Sequence, residues 1–389
     1  MSYFHWVAGS ILALVWFSRL LEAALGVPKM TDVSLPPWDR KPAARSPRVS
    51  IIVPARNEEE HIEQALTQLL QLDYDNYEVI AVNDRSTDHT GEVMDRVSAV
   101  PGALNRLRVI HIKELPPNWL GKAHAMWTAA KLASGDWLLF TDGDVFFRPD
   151  VLTRTLAYAT AEHADHVVLF PDFVMHGPGE KMMIAFFQTL FVFGHRPWKV
   201  ADPKTKDFMG VGAFNLIRRP VYEAVGTYEA LRFEVLDDMK LGKVVKTGGH
   251  AQRNVFGRGL LSIRWAKGAM GVVENLTKNM FAVMSFQWWR AVASAFALAF
   301  LNLMPFAGVL LAHGPARLPY AVALASMFGI YVGMSWMSDV PAYYFVLHPV
   351  SSVLFVYILI RSMVLTLGRG GVVWRGTFYP LEELRKGIV

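Results

Sequence analysis

At 389 residues the chain is longer than one average domain, and its 52% hydrophobic content and mean hydropathy of +0.24 are high for a wholly water-soluble protein. There is no cysteine, which excludes a disulfide framework and any thiolate metal site. The net charge of +5 is modest and no basic stripe is interleaved with aromatics, which argues against a nucleic-acid partner and suits attraction to anionic lipid headgroups.

The chain opens on an apolar stretch, His5 to Ser18, ending at Arg19. No basic residue precedes it and no small-residue cleavage pattern follows, so an uncleaved anchor is expected. Pro28 to Arg48 is rich in proline and carries Lys29, Arg40, Lys41, Arg45 and Arg48. By the positive-inside rule these put the next domain in the cytoplasm and the amino terminus outside.

Strand and helix patterns then alternate. Val49 to Val53 is a β-branched run closed by Pro54, and Glu58 to Leu72 has helical spacing through Ile62, Ala65, Leu66 and Leu69. Tyr77 to Val82 reads as a strand, Thr87 to Ser98 as a helix capped by Thr87 or Asp88, Leu107 to Ile112 as a strand, and Ala123 to Ala133 as a helix. The order predicts a mostly parallel sheet covered by helices, with ligands beyond the carboxyl ends of its strands.

Three polar loops should face that edge: Pro54-Ala55-Arg56-Asn57-Glu58, Asn83 to Asp88, and Asp142-Gly143-Asp144, which follows the buried run Trp137 to Phe140. Paired acids on a strand end suit a divalent cation and a diphosphate, although Asp-Gly is also an ordinary hairpin turn. Asn83 to Asp88 also fits an Asx turn with a helix cap, and Glu58 a favourable first-turn charge. Met209 to Asn215 is a glycine-rich turn entering a buried strand, and Asp237-Asp238 reads as the start of a helix over Met239 to Lys246. Histidines 124, 166, 195 and 250 lack metal-ligand spacing and read as structural or surface residues.

Gly268 to Trp289 mixes Glu274 and Lys278 with Met280, Phe281, Met284, Trp288 and Trp289, the pattern of an interfacial helix; packing on the α/β region is the alternative. Ala291 to Ala312, Leu318 to Met337 and Ala342 to Ile360 contain no Lys, Arg, Asp or Glu. Each is about 20 residues, enough to cross a bilayer as a helix. One anchor and three later spans would leave the tail carrying Arg361, Arg369, Arg375, Arg385 and Lys386 outside, against the positive-inside rule. Either the rule fails or one segment does not cross, and the region of His348-Pro349 is a candidate.

The motifs Val53-Pro54-Ala55-Arg56-Asn57-Glu58, Val82-Asn83-Asp84-Arg85-Ser86-Thr87-Asp88, Gly121-Lys122, Thr141-Asp142-Gly143-Asp144 and Leu236-Asp237-Asp238 with Leu241 resemble those of the inverting family 2 glycosyltransferases. The membrane-anchored members acting on hopanoids, carotenoids and ceramides are most similar. The resemblance implies a Rossmann-like α/β fold of the GT-A type, with an N-terminal anchor and a C-terminal all-α transmembrane cluster. The chain then divides into an anchor over 1–27, a basic linker over 28–47, a catalytic domain over 48–265, an interfacial region over 266–290, transmembrane helices over 291–367 and a polar tail over 368–389.

Carried over residue by residue, the resemblance implies that Asp84 accepts from the nucleobase, with Pro54, Ala55, Arg56 and Glu58 beside base and ribose. Lys122, Asp142 and Gly143 would meet the nucleotide. Asp144, with Asp142, would ligate Mg2+ or Mn2+ on the diphosphate of a UDP- or GDP-type sugar. Asp238 would be the catalytic base with Asp237 beside it, and Gly212, Ala213, Arg264 and Trp265 would lie by acceptor or donor sugar. Arg264-Trp265 resembles the end of the Gln-x-x-Arg-Trp signature of processive synthases, but Leu261 stands at the glutamine position and favours transfer of one sugar. The expected function is transfer of a single sugar to a lipid acceptor by a multi-pass cell-membrane enzyme with a cytoplasmic catalytic domain. The alternatives are a processive polysaccharide synthase and, from another class, a transporter or a nucleotide-sugar-sensing scaffold; the near absence of intramembrane charge argues against a polar solute pathway.

Overall fold

The computed structural model describes residues 2–39 and 46–387, so Arg40, Lys41 and Arg45 of the basic segment lie outside the described residues. The chain forms two compact units. One joins 1–29, 175–198 and 265–372; the other joins 30–174, 199–264 and 373–389.

The second unit is α/β. Its main sheet has seven strands: β1 Val49–Ala55, β2 Tyr77–Asp84, β3 Leu107–Ile112, β4 Trp137–Phe140, β5 His166–Leu169, β6 Asn215–Arg218 and β7 Gln252–Val255, in the order β3-β2-β1-β4-β6-β5-β7. All neighbours pair in parallel except β6, which is antiparallel to β4 and β5. β1 is buried along its whole length, as a central strand covered on both faces must be. Helix Ile62–Leu70 covers it with Ile62, Ala65, Leu66 and Leu69, the spacing read in the sequence. That helix starts four residues later than the sequence pattern suggested, because Glu58 to His61 serve as loop. Likewise helix Thr90–Ser98 starts after the Asn83 to Asp88 loop, and Gly121–Leu132 starts two residues early.

The reversed strand matters for function. Parallel strands β1, β2 and β4 deliver their trailing loops to one edge of the sheet, and β6, running the other way, delivers its leading loop, Met209 to Phe214, to the same edge. Phe140 of β4 pairs with Asn215 of β6, so the Asp-Gly-Asp loop and the glycine-rich turn emerge side by side.

The first unit is helical. Among the described residues, four of its helices are long and apolar enough to cross a membrane: Tyr3–Lys29, Trp288–Leu311, Gly314–Ser335 and Ala342–Arg369. Large apolar side chains such as Phe296 (73% exposed) and Leu310 (76%) point outward, which fits association with a membrane. Inside, Trp16, Leu12, Tyr320 and Met327 form the core. A polar knot sits within it: His348 Nδ1 is 3.0 Å from the Tyr331 hydroxyl and its Nε2 is 3.0 Å from Asn302 Oδ1, so every ring nitrogen has a partner in the apolar interior.

These contacts also give the helix directions. Gly9 lies against Pro319 and Leu20 against Gly329, so the first helix and Leu318–Ser335 run the same way. Trp288–Leu311 runs opposite to them, with Gly308 at Tyr320 and Asn302 at the level of Tyr331. His348–Arg369 begins at Asn302 and reaches Phe281, whose N–H donates to Ser362 Oγ at 2.9 Å; it too runs against Trp288–Leu311. Helix Pro178–Gly194, flanked on both sides by α/β sequence, belongs to this unit.

Candidate active site

The loops after β1 and β2 are stitched together by hydrogen bonds. Asn57, in the left-handed region at φ 55°, accepts through Oδ1 from the Thr87 N–H at 2.8 Å, and the Asn57 N–H donates to Ser86 Oγ at 3.1 Å. The Glu58 N–H donates to Thr90 Oγ1 at 2.8 Å, and His89 N–H to Glu59 Oε2 at 3.0 Å. The Asx turn expected at Asn83 is present as well, Asn83 Oδ1 accepting from the Ser86 N–H at 3.2 Å. Turn chemistry and site position therefore coincide in one loop.

Gly143 locks the third loop to the first. A Cβ there would lie 3.3 Å from Ile62 Cδ1 and 3.4 Å from Ala55 Cβ, and its oxygen neighbour is the Pro54 carbonyl. Thr141 Oγ1 donates to the Ala213 carbonyl at 2.8 Å, fastening the acidic loop to the glycine-rich turn. Gly212 lies between the two main acids: a Cβ there would be 2.6 Å from Asp142 Oδ2 and 3.5 Å from Asp238 Oδ2. Asp237 and Asp238 open helix Asp237–Thr247 from inside its first turn, without acting as side-chain caps. Two backbone approaches require glycine there. A Cβ at Gly210 would sit 1.8 Å from the Asp238 carbonyl oxygen, and one at Gly242 would sit 1.9 Å from that of Met209. Gly210→Ala is therefore expected to push the start of this helix out of place, with a loss of about 1–3 kcal/mol or more in stability and a sharp loss of activity. Thermal unfolding and transfer assays on the purified variant check it, and a variant as active and stable as the parent would refute the packing argument.

Lys122, at the start of helix Gly121–Leu132, reaches Asp142 Oδ1 at 2.7 Å and Asp237 Oδ2 at 3.6 Å. Burial alone would lower its pKa, but the charges of Asp142, Asp237 and Asp238 outweigh burial and raise it, so the ammonium stays charged. Asp238 is pushed above the usual carboxylate value by burial, partly opposed by Lys122 and by the Met239 N–H, which it accepts at 2.7 Å. A carboxylate held above its ordinary value is a stronger base than one in water. Asp144 is pushed up to about 7 by burial and by the neighbouring Asp142 and Glu58. Burial likewise raises Glu58, opposed by Arg375.

Asp84 is buried at the end of β2, and both of its oxygens accept from Arg85, at 2.7 Å from Nε and 3.0 Å from Nη2. A base binding at Asp84 thus meets the Arg85 guanidinium as well. Arg56 donates to Thr377 Oγ1 at 3.0 Å. Arg264 follows the short strand Leu261–Ile263 in the α/β unit, whereas Trp265 belongs to the helical unit and packs on Phe187 at 4.9 Å between ring centroids.

Three contributors were not legible as site residues in the sequence. Gln252 of β7 holds the glycine-rich turn from behind: its Oε1 accepts from the Met209 N–H at 2.9 Å and its Nε2 donates to the Met209 and Gly242 carbonyls at 3.1 Å. Its amide also meets His166, which gives that histidine its structural role. Tyr228 is fully buried, with Asp237, Asp238 and Asp142 around it raising its pKa beyond the effect of burial. The third is a C-terminal hairpin, Gly371–Trp374 and Thr377–Pro380, whose residues Arg375, Thr377 and Tyr379 reach the loops of the cleft.

Among the described residues no group of three His, Cys, Asp or Glu side chains makes a ready metal cage. The donor set is nevertheless suited to a hard cation. Asp142 and Asp144 offer oxygen ligands, and burial together with the charges of Asp142 and Glu58 raises Asp144, a cost of ionisation that a divalent ion would offset. Two carboxylates with the remaining positions left to water and phosphate is how Mg2+ and similar ions are commonly held.

An α/β sheet with acids at the switch between β1 and β4, and paired acids opening helix Asp237–Thr247, is the GT-A fold found in glycosyltransferases. Residues 50–226 match the model of glycosyl transferase family 2. Its relatives include the 4,4'-diaponeurosporenoate glycosyltransferase of Staphylococcus haemolyticus, 23% identical over 60% of this chain and 60% of that protein. The enzyme of the same name from Staphylococcus aureus is 21% identical over 86% of this chain and 89% of its own. Among solved structures, the mannosyltransferase PcManGT from Pyrobaculum calidifontis, in complex with GDP-mannose and Mn2+, covers 90% of this chain and 99% of its own at a TM-score of 0.55 and 19% identity, which is a likeness of fold.

Proposed function

We propose that the protein transfers one sugar, with inversion, from a nucleotide-diphospho-sugar to a hydroxyl of a membrane lipid at the cytoplasmic face. The observation that carries this reading is the pairing of Asp142 and Asp238 across Gly212, with Lys122 between the donor rim and the helix of the second acid. One carboxylate on the donor rim and one raised carboxylate opposite it are what a single displacement needs. Asp238 takes the proton of the acceptor hydroxyl, the oxygen attacks the anomeric carbon, and the carbon–oxygen bond to the diphosphate breaks on the other side. Asp142 and Asp144 would hold Mg2+ or Mn2+, which supplies charge neutralisation for the departing nucleoside diphosphate. Lys122 adds a fixed positive charge in the same cleft.

The helical unit supports a lipid acceptor, since its outward apolar side chains suit a lipid surface, and two relatives are named for the glycosylation of 4,4'-diaponeurosporenoate. Leu261, where processive synthases carry glutamine, supports one transfer rather than many. In this reading the chain, which leaves the α/β unit after Arg264 and rejoins it at Val373, makes an even number of traverses between those points. We read Trp288–Leu311 as the outward traverse and the two co-directed helices after it, broken near His348, as one interrupted return. The basic tail then lies on the cytoplasmic side, in keeping with the positive-inside rule.

Incubating the detergent-solubilised protein with a panel of sugar nucleotides and membrane lipids tests the reading by product mass. A lipid gaining one sugar, in a reaction stopped by chelator, is expected. Long polymers would favour the processive reading, and no transfer to any lipid would overturn the proposal.

A further inference from the structure

We propose that the C-terminal hairpin is a working part of the donor site, and that Arg375 at its tip binds the diphosphate of the nucleotide. This rests on the donor being a nucleotide-diphospho-sugar, as argued above. Arg375 and Gly376 both adopt left-handed backbone, at φ 47° and 76°, the geometry of a tight two-residue hairpin turn. Such a conformation is unfavourable for arginine, so its surroundings must hold it there. They do: Nη2 donates to Glu58 Oε1 at 2.5 Å and Nη1 to the Arg56 carbonyl at 2.9 Å.

The next residues on the same strand face fix the hairpin across the cleft loops. Thr377 Oγ1 accepts from Arg56 Nη1 at 3.0 Å and from Arg85 Nη1 at 3.4 Å, and the Gly121 N–H donates to the Tyr379 hydroxyl at 3.1 Å. Residues 375, 377 and 379 thus alternate onto the loops after β1 and β2 and the start of the Lys122 helix, as the two-residue period of a strand requires. Sequence separations of 317 and 258 residues are closed by these bonds.

Charge then selects the ligand. Lys122 is committed to Asp142 and Asp237 on one side of the acidic rim. Arg375 supplies the counter-charge on the other, beside Glu58 and within the field of Asp144. A diphosphate arriving at Asp142 and Asp144 brings further negative charge between these two cations. The forked guanidinium suits phosphate oxygens, and the Arg375 side chain is 43% exposed, so one edge remains open to them. Glu58 acts as its positioning residue, holding the fork in place before the donor arrives.

The test uses the full-length protein in detergent with Arg375→Ala and Arg375→Lys. Binding of UDP, UMP, GDP and GMP and the KM and kcat for the active sugar nucleotide are measured, with thermal unfolding as a check on folding. Arg375→Ala is expected to weaken the preferred nucleoside diphosphate by about tenfold or more and raise donor KM alike, with the monophosphate nearly unchanged and Arg375→Lys intermediate. Equal losses for mono- and diphosphate would overturn the inference by showing a purely structural hairpin. Unchanged or tighter diphosphate binding would overturn it too, the latter marking the hairpin as a plug that leaves when donor binds. If the parent protein bound none of the four nucleotides, the glycosyltransferase reading itself would fall; if it bound them and the variants matched it, only the role of Arg375 would.

Discussion

Asp238→Asn is expected to lower the transfer rate by about 10²–10⁴-fold, the usual contribution of a positioned general base, while leaving nucleotide binding within about twofold of the parent. The amide keeps the size of the carboxylate, so the backbone contact of Gly210 with this residue and the helix start are undisturbed. It cannot accept a proton from a hydroxyl at neutral pH. Because Asp238 faces the donor rim across Gly212 and is not itself on that rim, removing its charge affects the bond-making step rather than donor affinity. Asp142→Asn makes the contrast: it takes away the negative charge that Lys122 pairs with at 2.7 Å and an anionic rim oxygen, and donor KM should rise with it. Steady-state kinetics and nucleotide titrations separate the two. Full activity in Asp238→Asn would remove this residue from the role of base and leave Asp237, 3.6 Å from Lys122, as the remaining acid on the helix.

Much of this cleft can be read from local sequence because its parts are strand ends. An apolar run that stops on polar residues, as at Val49 to Pro54 and Trp137 to Asp142, announces a buried strand and the loop that leaves it. The ambiguities were chemical rather than positional: Asn83 to Asp88 makes the turn its residues suggest and lines the cleft as well. What local pattern does not carry is long-range return. Arg375 lies 317 residues from Glu58, and nothing near it separates a basic tail at a membrane from a hairpin folded back over an acidic rim. Helix Pro178–Gly194 is masked in the sequence for a related reason, since 17 residues of mostly apolar sequence inside an α/β region look like core. Gln252 is silent in sequence because its work is done by three backbone partners, contributed by the Met209 turn and by Gly242.

The second large effect concerns Asp144, where function and stability should move in opposite directions. Its carboxyl is pushed from 3.8 up to about 7 by burial and by the charges of Asp142 and Glu58, with Arg375 pulling the other way. A folded-state value above the unfolded one means that the folded protein prefers the protonated acid. That preference is fully present below pH 4 and is lost as pH rises to about 7, so the ionised group weighs against the fold at neutral pH. Asp144→Asn removes the charge without changing the shape. Its apparent melting temperature should match the parent near pH 4, rise above it progressively between pH 4 and 7, and stay higher beyond. Transfer should meanwhile fall by about 10²–10³-fold, because the rim would lose an anionic oxygen for the cation that, in the proposed reaction, offsets the leaving diphosphate. Melting curves at several pH values, beside activity at saturating Mn2+, read both quantities. A variant less stable than the parent at pH 8 would mean that ionised Asp144 is held by favourable contacts rather than opposed by burial and like charge. The rim would then be an ordinary turn, as its Asp-Gly sequence alone allows.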